Sequence, residues 1–170
     1  GQIFPKEQIS KMGALGFLGM MVSPKYGGGG MDTVSYVLAM EEISKIDASA
    51  AVVMSVNNSL VCWGLETYGT EAQKEKYLPK LTSGEIIGAF CLSEPEAGSD
   101  ATSQRTTAID KGDYYLVNGQ KTWTTLGHHA DKIFCLVKTN TNVKPQLGIS
   151  FLLIDMDSPG VEIKPIITLD

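Results

Sequence analysis

At Gly84 the spacing of apolar residues changes from three or four to two, and that change divides anything this chain can fold into. Before it, Ile9, Met12, Leu15 and Leu18 recur at three-residue steps, which predicts a helix from Pro5 to about Met20 with one apolar stripe. Breaker residues fill 23–30, and Asp32 is the expected N-cap of a second helix through about Lys45. Residues 48–68 are small or apolar almost throughout, which predicts a helix buried on every side and ended by Gly69. Thr70 then caps a short charged helix over 71–81, and Gly84 closes it.

After Gly84, short β-branched and aromatic runs alternate with turn residues at 86–92, 104–109, 114–117, 121–124, 133–138, 149–155 and 161–166. Runs of this length with close turns predict an antiparallel sandwich or barrel. Asn118-Gly119 predicts a type I′ hairpin, and Asp110-Lys111-Gly112-Asp113 a second one. The expected fold class is therefore α+β, with a helical domain over 1–84 followed by a β-barrel domain over 85–170.

Composition narrows the partners. With 170 residues, 43% of them hydrophobic, the chain can build one large domain or two small ones, and a coil is excluded. Asn57, Asn58 and Ser59 interrupt the longest apolar run, so no membrane span is expected. The net charge is −5 and no Lys/Arg cluster occurs, which argues against a nucleic-acid partner. A charged share of only 19% suits a chain that covers some faces against further domains or subunits. Cys62, Cys91 and Cys135 have no paired spacing and read as buried free thiols in a reducing compartment, with neither metal nor disulfide roles. No signal peptide is visible, and the missing initial Met suggests a piece of something longer.

Four segments invite a chemical reading. Glycines 27–30 fail the phosphate-loop test, because no strand precedes them and no Lys-Ser/Thr pair follows, so a flexible turn is expected. His128-His129 lacks a third ligand nearby and reads as a solvated turn. Residues 93–100, Ser-Glu-Pro-Glu-Ala-Gly-Ser-Asp, follow a predicted strand and combine a blocking Pro, a permissive Gly and two hydroxyls. Such a loop is either an ordinary acidic turn or one whose backbone N–H groups converge on ligand oxygens. Trp123-Thr124-Thr125 is either core or an indole that stacks on a planar ring while a hydroxyl meets its polar edge.

Together the segments form a signature. Residues 90–100 closely resemble the signature of the acyl-CoA dehydrogenase family, and residues 117–125 resemble that family's second flavin segment. Leu15-Gly16, Tyr26-Gly27-Gly28 and Glu41-Glu42 resemble its N-terminal helices, and 69–79 the helix before its barrel, so the resemblance spans essentially the whole chain. It implies an FAD enzyme that oxidises the Cα–Cβ bond of an acyl-CoA thioester to the trans-2-enoyl-CoA and passes electrons to an electron-transfer flavoprotein. On matching positions, the backbone of Phe90, Cys91 and Leu92 and the Ser93 hydroxyl would meet the pyrimidine side of the isoalloxazine. Gly98 and Ser99 would meet the cofactor's phosphates and, for Ser99, the bound CoA ester. Trp123 would lie on the flavin face away from substrate, Thr125 would hydrogen-bond near N5, and Thr124 would also belong to the cofactor-binding set. Donors at the pyrimidine edge suit the negative charge that reduction places there. Ser93 stands where many members have Thr, and the hydroxyl is kept.

The resemblance further implies a homo-oligomer, dimer or tetramer, in the cytoplasm of a bacterium or the mitochondrial matrix of a eukaryote. It covers the first half of a family member, and the glutamate base belongs to a C-terminal helical bundle outside this sequence. No carboxylate here is therefore assigned as catalytic. Two other readings keep the fold: an acyl-CoA oxidase or flavin monooxygenase, and a binding module that has lost its flavin.

Overall fold

A computed structural model describes residues 4–167, and the chain divides into two compact units between Gly88 and Ala89. Side-chain caps set the helix ends of the first unit. Asp32 accepts the Ser35 N–H at 2.8 Å to start α2 (Thr33–Ser44), and Asp47 accepts from Ser49 and Ala50 to start α3 (Ala48–Ser55). These two follow α1 (Lys6–Ala14), which is shorter than its sequence predicts. Gly16 takes a left-handed φ of 84° and one 3₁₀ turn over Phe17–Gly19 replaces the rest, so Ile9 and Leu18 are buried while Leu15 is exposed.

The predicted helix over 48–68 is continuous but not uniform. After α3 comes a π-helical stretch, Val56–Cys62, and then α4 (Trp63–Tyr68). By length and composition alone Ala48–Tyr68 could cross a membrane, yet its polar centre is wired into the unit. Asn57 Nδ2 donates to the Leu18 and Leu81 carbonyls at 2.7 and 3.0 Å, and Asn58 Nδ2 donates to those of Phe17 and Met54 at 2.8 and 3.0 Å. It is the core helix of this unit. Burial on every side does not hold, because Val52, Leu60, Trp63 and Tyr68 are exposed. α5 (Glu71–Ser83) begins with a capping box between Thr70 and Gln73 and ends at the left-handed Gly84.

The second unit is built on β1 (Gly88–Cys91), β2 (Thr107–Asp110), β3 (Tyr115–Asn118), β4 (Lys132–Lys138) and β5 (Ile149–Asp155). The order is β1-β4-β2-β3, and β5 also pairs with β4. The expected helices-then-sheet division stands, but the sheet is mixed, since Thr107 and Lys138 make a parallel bridge between β2 and β4. The β2–β3 hairpin turns at the predicted Asp110–Gly112, where the Gly112 N–H donates to Asp110 Oδ1 at 2.7 Å. Asn118-Gly119 makes no hairpin. Gly119 lies against Thr106, where a Cβ would collide, so its small size serves a close approach. Neither 121–124 nor 161–166 is a strand; the first is broken by the left-handed Trp123, and the second is almost wholly exposed. The core consists of Cys91, Ala108, Cys135 and Val137 with Val117, Ile133, Leu152 and Ile154 around them.

Candidate functional site

The two segments singled out from the sequence meet at the end of β1. Phe90 is half-buried against Phe151, with ring centroids 5.7 Å apart, and Cys91 points into the core. The chain then leaves the sheet, and a tight turn closes the loop, with the Glu94 N–H donating to the Ala97 carbonyl at 2.9 Å and the Ala97 N–H returning to Glu94 at 3.2 Å. Beyond that turn Gly98 and Ser99 are exposed, and a Cβ on Gly98 would meet nothing within 4 Å. No close approach within the chain demands that glycine. The second segment runs beside the first: the Thr122 N–H donates to the Ser93 carbonyl at 2.9 Å, and Thr124 Oγ1 lies 3.5 Å from Cys91 Sγ.

Between those anchors stands Trp123. Its φ of 56° is left-handed, a strained state for a bulky residue, and its side chain is 72% exposed. The core alternative for this indole is thereby set aside. Leu126 is left-handed as well, at 66°, and Thr125 between them is exposed. Two such outliers within four residues hold an aromatic face out to solvent, at a backbone cost that no packing of the indole repays.

Sequence reasoning missed what ties this site together. Glu94 is not part of a solvated acidic loop but is buried, with 7% of its surface exposed. Its carboxylate accepts the backbone N–H of Arg105 at 2.6 Å and of Thr106 at 3.0 Å, and Lys121 Nζ at 2.9 Å. Lys121 also donates to the Leu92 carbonyl at 3.1 Å and to Gln104 Oε1 at 2.8 Å, so all three ammonium protons are used. Burial by itself pushes the Glu94 carboxyl up, but the Arg105 N–H, the Lys121 ammonium and the Thr106 donors outweigh it and hold the group at about 2. The Cys91 thiol is lowered to about 7, first by a hydrogen bond from Cys135, against the effect of burial and with help from Thr124. Glu94 and Lys121 lie 27 residues apart, and an ion pair leaves no periodic trace in a sequence.

The remaining motifs stay outside the site. The N–H groups of Gly28, Gly29 and Gly30 are all consumed by carbonyls of Ser23, Gly19 and Val22, which makes that turn ordered and leaves no cradle for a phosphate. The His128 and His129 rings lie 4.1 Å apart at a tilt of 47°, and among the described residues no group of three metal-binding side chains occurs.

Comparison with known proteins gives this geometry a family. Residues 1–85 match the acyl-CoA dehydrogenase N-terminal domain, and residues 89–169 match the acyl-CoA dehydrogenase middle domain. The chain belongs to the acyl-CoA dehydrogenase family. It is 44% identical over 158 residues to the caffeyl-CoA reductase-Etf complex subunit CarC of Acetobacterium woodii, covering 93% of this chain and 41% of that protein. The solved butyryl-CoA dehydrogenase of Megasphaera elsdenii shares 40% identity at a TM-score of 0.86, covering 93% of this chain and 42% of the other. A glutaryl-CoA dehydrogenase of Mycobacterium smegmatis in complex with FADH2 shares 37% identity at 0.84, covering 92% and 39%. The chain thus spans about two fifths of the length of the relatives it matches.

Proposed function

We propose that these residues are the helical and flavin-contacting parts of an FAD-dependent acyl-CoA dehydrogenase that forms the trans-2-enoyl-CoA and hands its electrons to an electron-transfer flavoprotein. The observation that carries this reading is Trp123, a strained and exposed indole fixed beside the open end of β1. A planar, electron-poor ring is the ligand that such an indole suits. The relatives' names support the rest: one belongs to an Etf complex, one acts on butyryl-CoA, and one is solved with FADH2.

When bound, the flavin would supply the two-electron acceptor for the Cα–Cβ bond. The chain's own residues bind and orient. The backbone at Phe90 and Leu92 and the half-buried Ser93 hydroxyl would hold the pyrimidine edge, Trp123 would cover one ring face, Thr125 would bring its hydroxyl toward N5, and Thr124 would support the segment from its place beside Cys91. Gly98 and Ser99, exposed on the loop, would meet the phosphates and the CoA ester. Glu94 is not available for proton abstraction at the α-carbon, because it is fully committed to Lys121, Arg105 and Thr106. The whole protein works as a homo-oligomer, in bacterial cytoplasm or the mitochondrial matrix.

Anaerobic titration of the flavin absorbance of the full gene product with acyl-CoA esters of graded length tests this. Bleaching by short-chain esters, slow to recover in air, is expected; no bleaching by any ester would contradict the dehydrogenase reading, and rapid reoxidation in air would turn it toward an oxidase.

A further inference from the structure

We infer that Lys121 is the positioning residue of this site, a three-point clamp that fixes the Trp123 indole relative to the end of β1. This rests on the flavin reading only for what the indole faces; the clamp itself stands on the chain's own geometry.

Its side chain is 10% exposed, and the ammonium donates to the Leu92 carbonyl, the Glu94 carboxylate and the Gln104 amide oxygen, all within 2.8–3.1 Å. Three acceptors, two on the segment leaving β1 and one at Gln104, define a point in space, and Trp123 lies two residues along the chain. One of the three, Leu92, is the residue next to Ser93, whose carbonyl takes the Thr122 N–H. Distance along β1 and distance along the second segment are therefore fixed against each other.

Stability alone gives a poor reason for such a pair. Burying two charges costs about as much as their attraction returns, and replacing both by apolar groups of similar size is often neutral. What apolar groups cannot do is hold a direction. Trp123 needs that, since its left-handed backbone would relax toward an ordinary conformation if either flanking anchor let go.

The test separates holding the fold from holding the indole. With Trp63→Phe as background, Trp123 is the one remaining indole of the chain's two, and its time-resolved anisotropy reports its order directly. Lys121→Met strands Glu94 without its cation, so the decisive variant is the double Glu94→Gln/Lys121→Met, which removes both charges. The clamp predicts a melting midpoint within about 5 °C of the parent, the shift that a roughly 1 kcal/mol change gives in a small domain. It also predicts that residual anisotropy of Trp123 falls about twofold as the indole gains nanosecond motion. Lys121→Arg, which keeps the charge but cannot place one nitrogen among three acceptors, should show the same loss.

Parent-like anisotropy in the double variant overturns the clamp. Loss of its cooperative melting transition overturns it too, because the pair would then be serving the fold. In the full gene product the same double variant should lose about tenfold in flavin affinity, read as a lowered flavin-to-protein ratio, which corresponds to about 1.4 kcal/mol. Lost anisotropy with unchanged flavin content would uphold the clamp and reject the flavin reading of Trp123, so the two ideas fail separately.

Discussion

In the helical unit the buried connectors between distant stretches are the neutral amides of Asn57 and Asn58, whereas in the sheet unit they are the charged pair Glu94 and Lys121. Asn57 reaches 39 and 24 residues of sequence to the Leu18 and Leu81 carbonyls, and Lys121 reaches 29 residues to the Leu92 carbonyl. The amides cost little to bury and satisfy carbonyls near turn and helix ends, which is a contribution to stability. The ion pair costs far more to dehydrate and returns mainly geometry. Where the chain only has to pack, it uses amides; beside the strained, exposed Trp123, it uses charges.

The largest effect should come from halving the costlier connector. Lys121→Met leaves a carboxylate buried without its cation and should destabilise the sheet unit by about 3–5 kcal/mol in chemical denaturation. The matching change in the helical unit, Asn57→Leu, strands the Leu18 and Leu81 carbonyls and should cost about 2 kcal/mol. Equal losses in the two variants would erase the distinction between amide and ion pair.

Acid sharpens the same comparison. Glu94 and Glu71 are both held at about 2 against an ordinary 4.5, Glu94 through its buried network and Glu71 by Lys25, Tyr26 and Lys74 at the surface. A carboxyl lowered by folding contributes stability that is present above its ordinary value and is lost as pH falls from about 4.5 through about 2. Glu94→Gln should therefore flatten the acid limb of a stability-against-pH curve. Glu71→Gln should change it much less, since that carboxylate's side chain is 61% exposed and screened by solvent. Smallest of all, Thr70→Ala removes one half of the α5 capping box and should cost about 1 kcal/mol by thermal melting.

Local signals carried well where the structure is local. Asp32, the Thr70–Gln73 box, Gly84 and the Asp110–Gly112 turn all act as their residue types suggest. They failed where a tertiary contact decides. Gly119 looks like a hairpin residue and serves a close approach to Thr106; 121–124 alternates like a strand and is broken by Trp123; 48–68 looks apolar all round and yet leaves Val52, Leu60, Trp63 and Tyr68 exposed. Both segments were legible through their family motif, whereas their meeting at Ser93–Thr122 emerges only from the fold. The clamp was not legible, because Glu94 sits among acidic loop residues and only folding reveals that it is buried.

Two exposed tryptophans, one in each unit, give the most direct test of what the sheet unit is for. Trp63 is 53% exposed on a regular helix, and Trp123 is 72% exposed on a strained turn. The FAD content of the purified full gene product should fall sharply in Trp123→Ala, less in Ser99→Ala, and not at all in Trp63→Ala. Equal FAD content in Trp123→Ala and Ser99→Ala, or a loss in Trp63→Ala as large as in Trp123→Ala, would contradict the account.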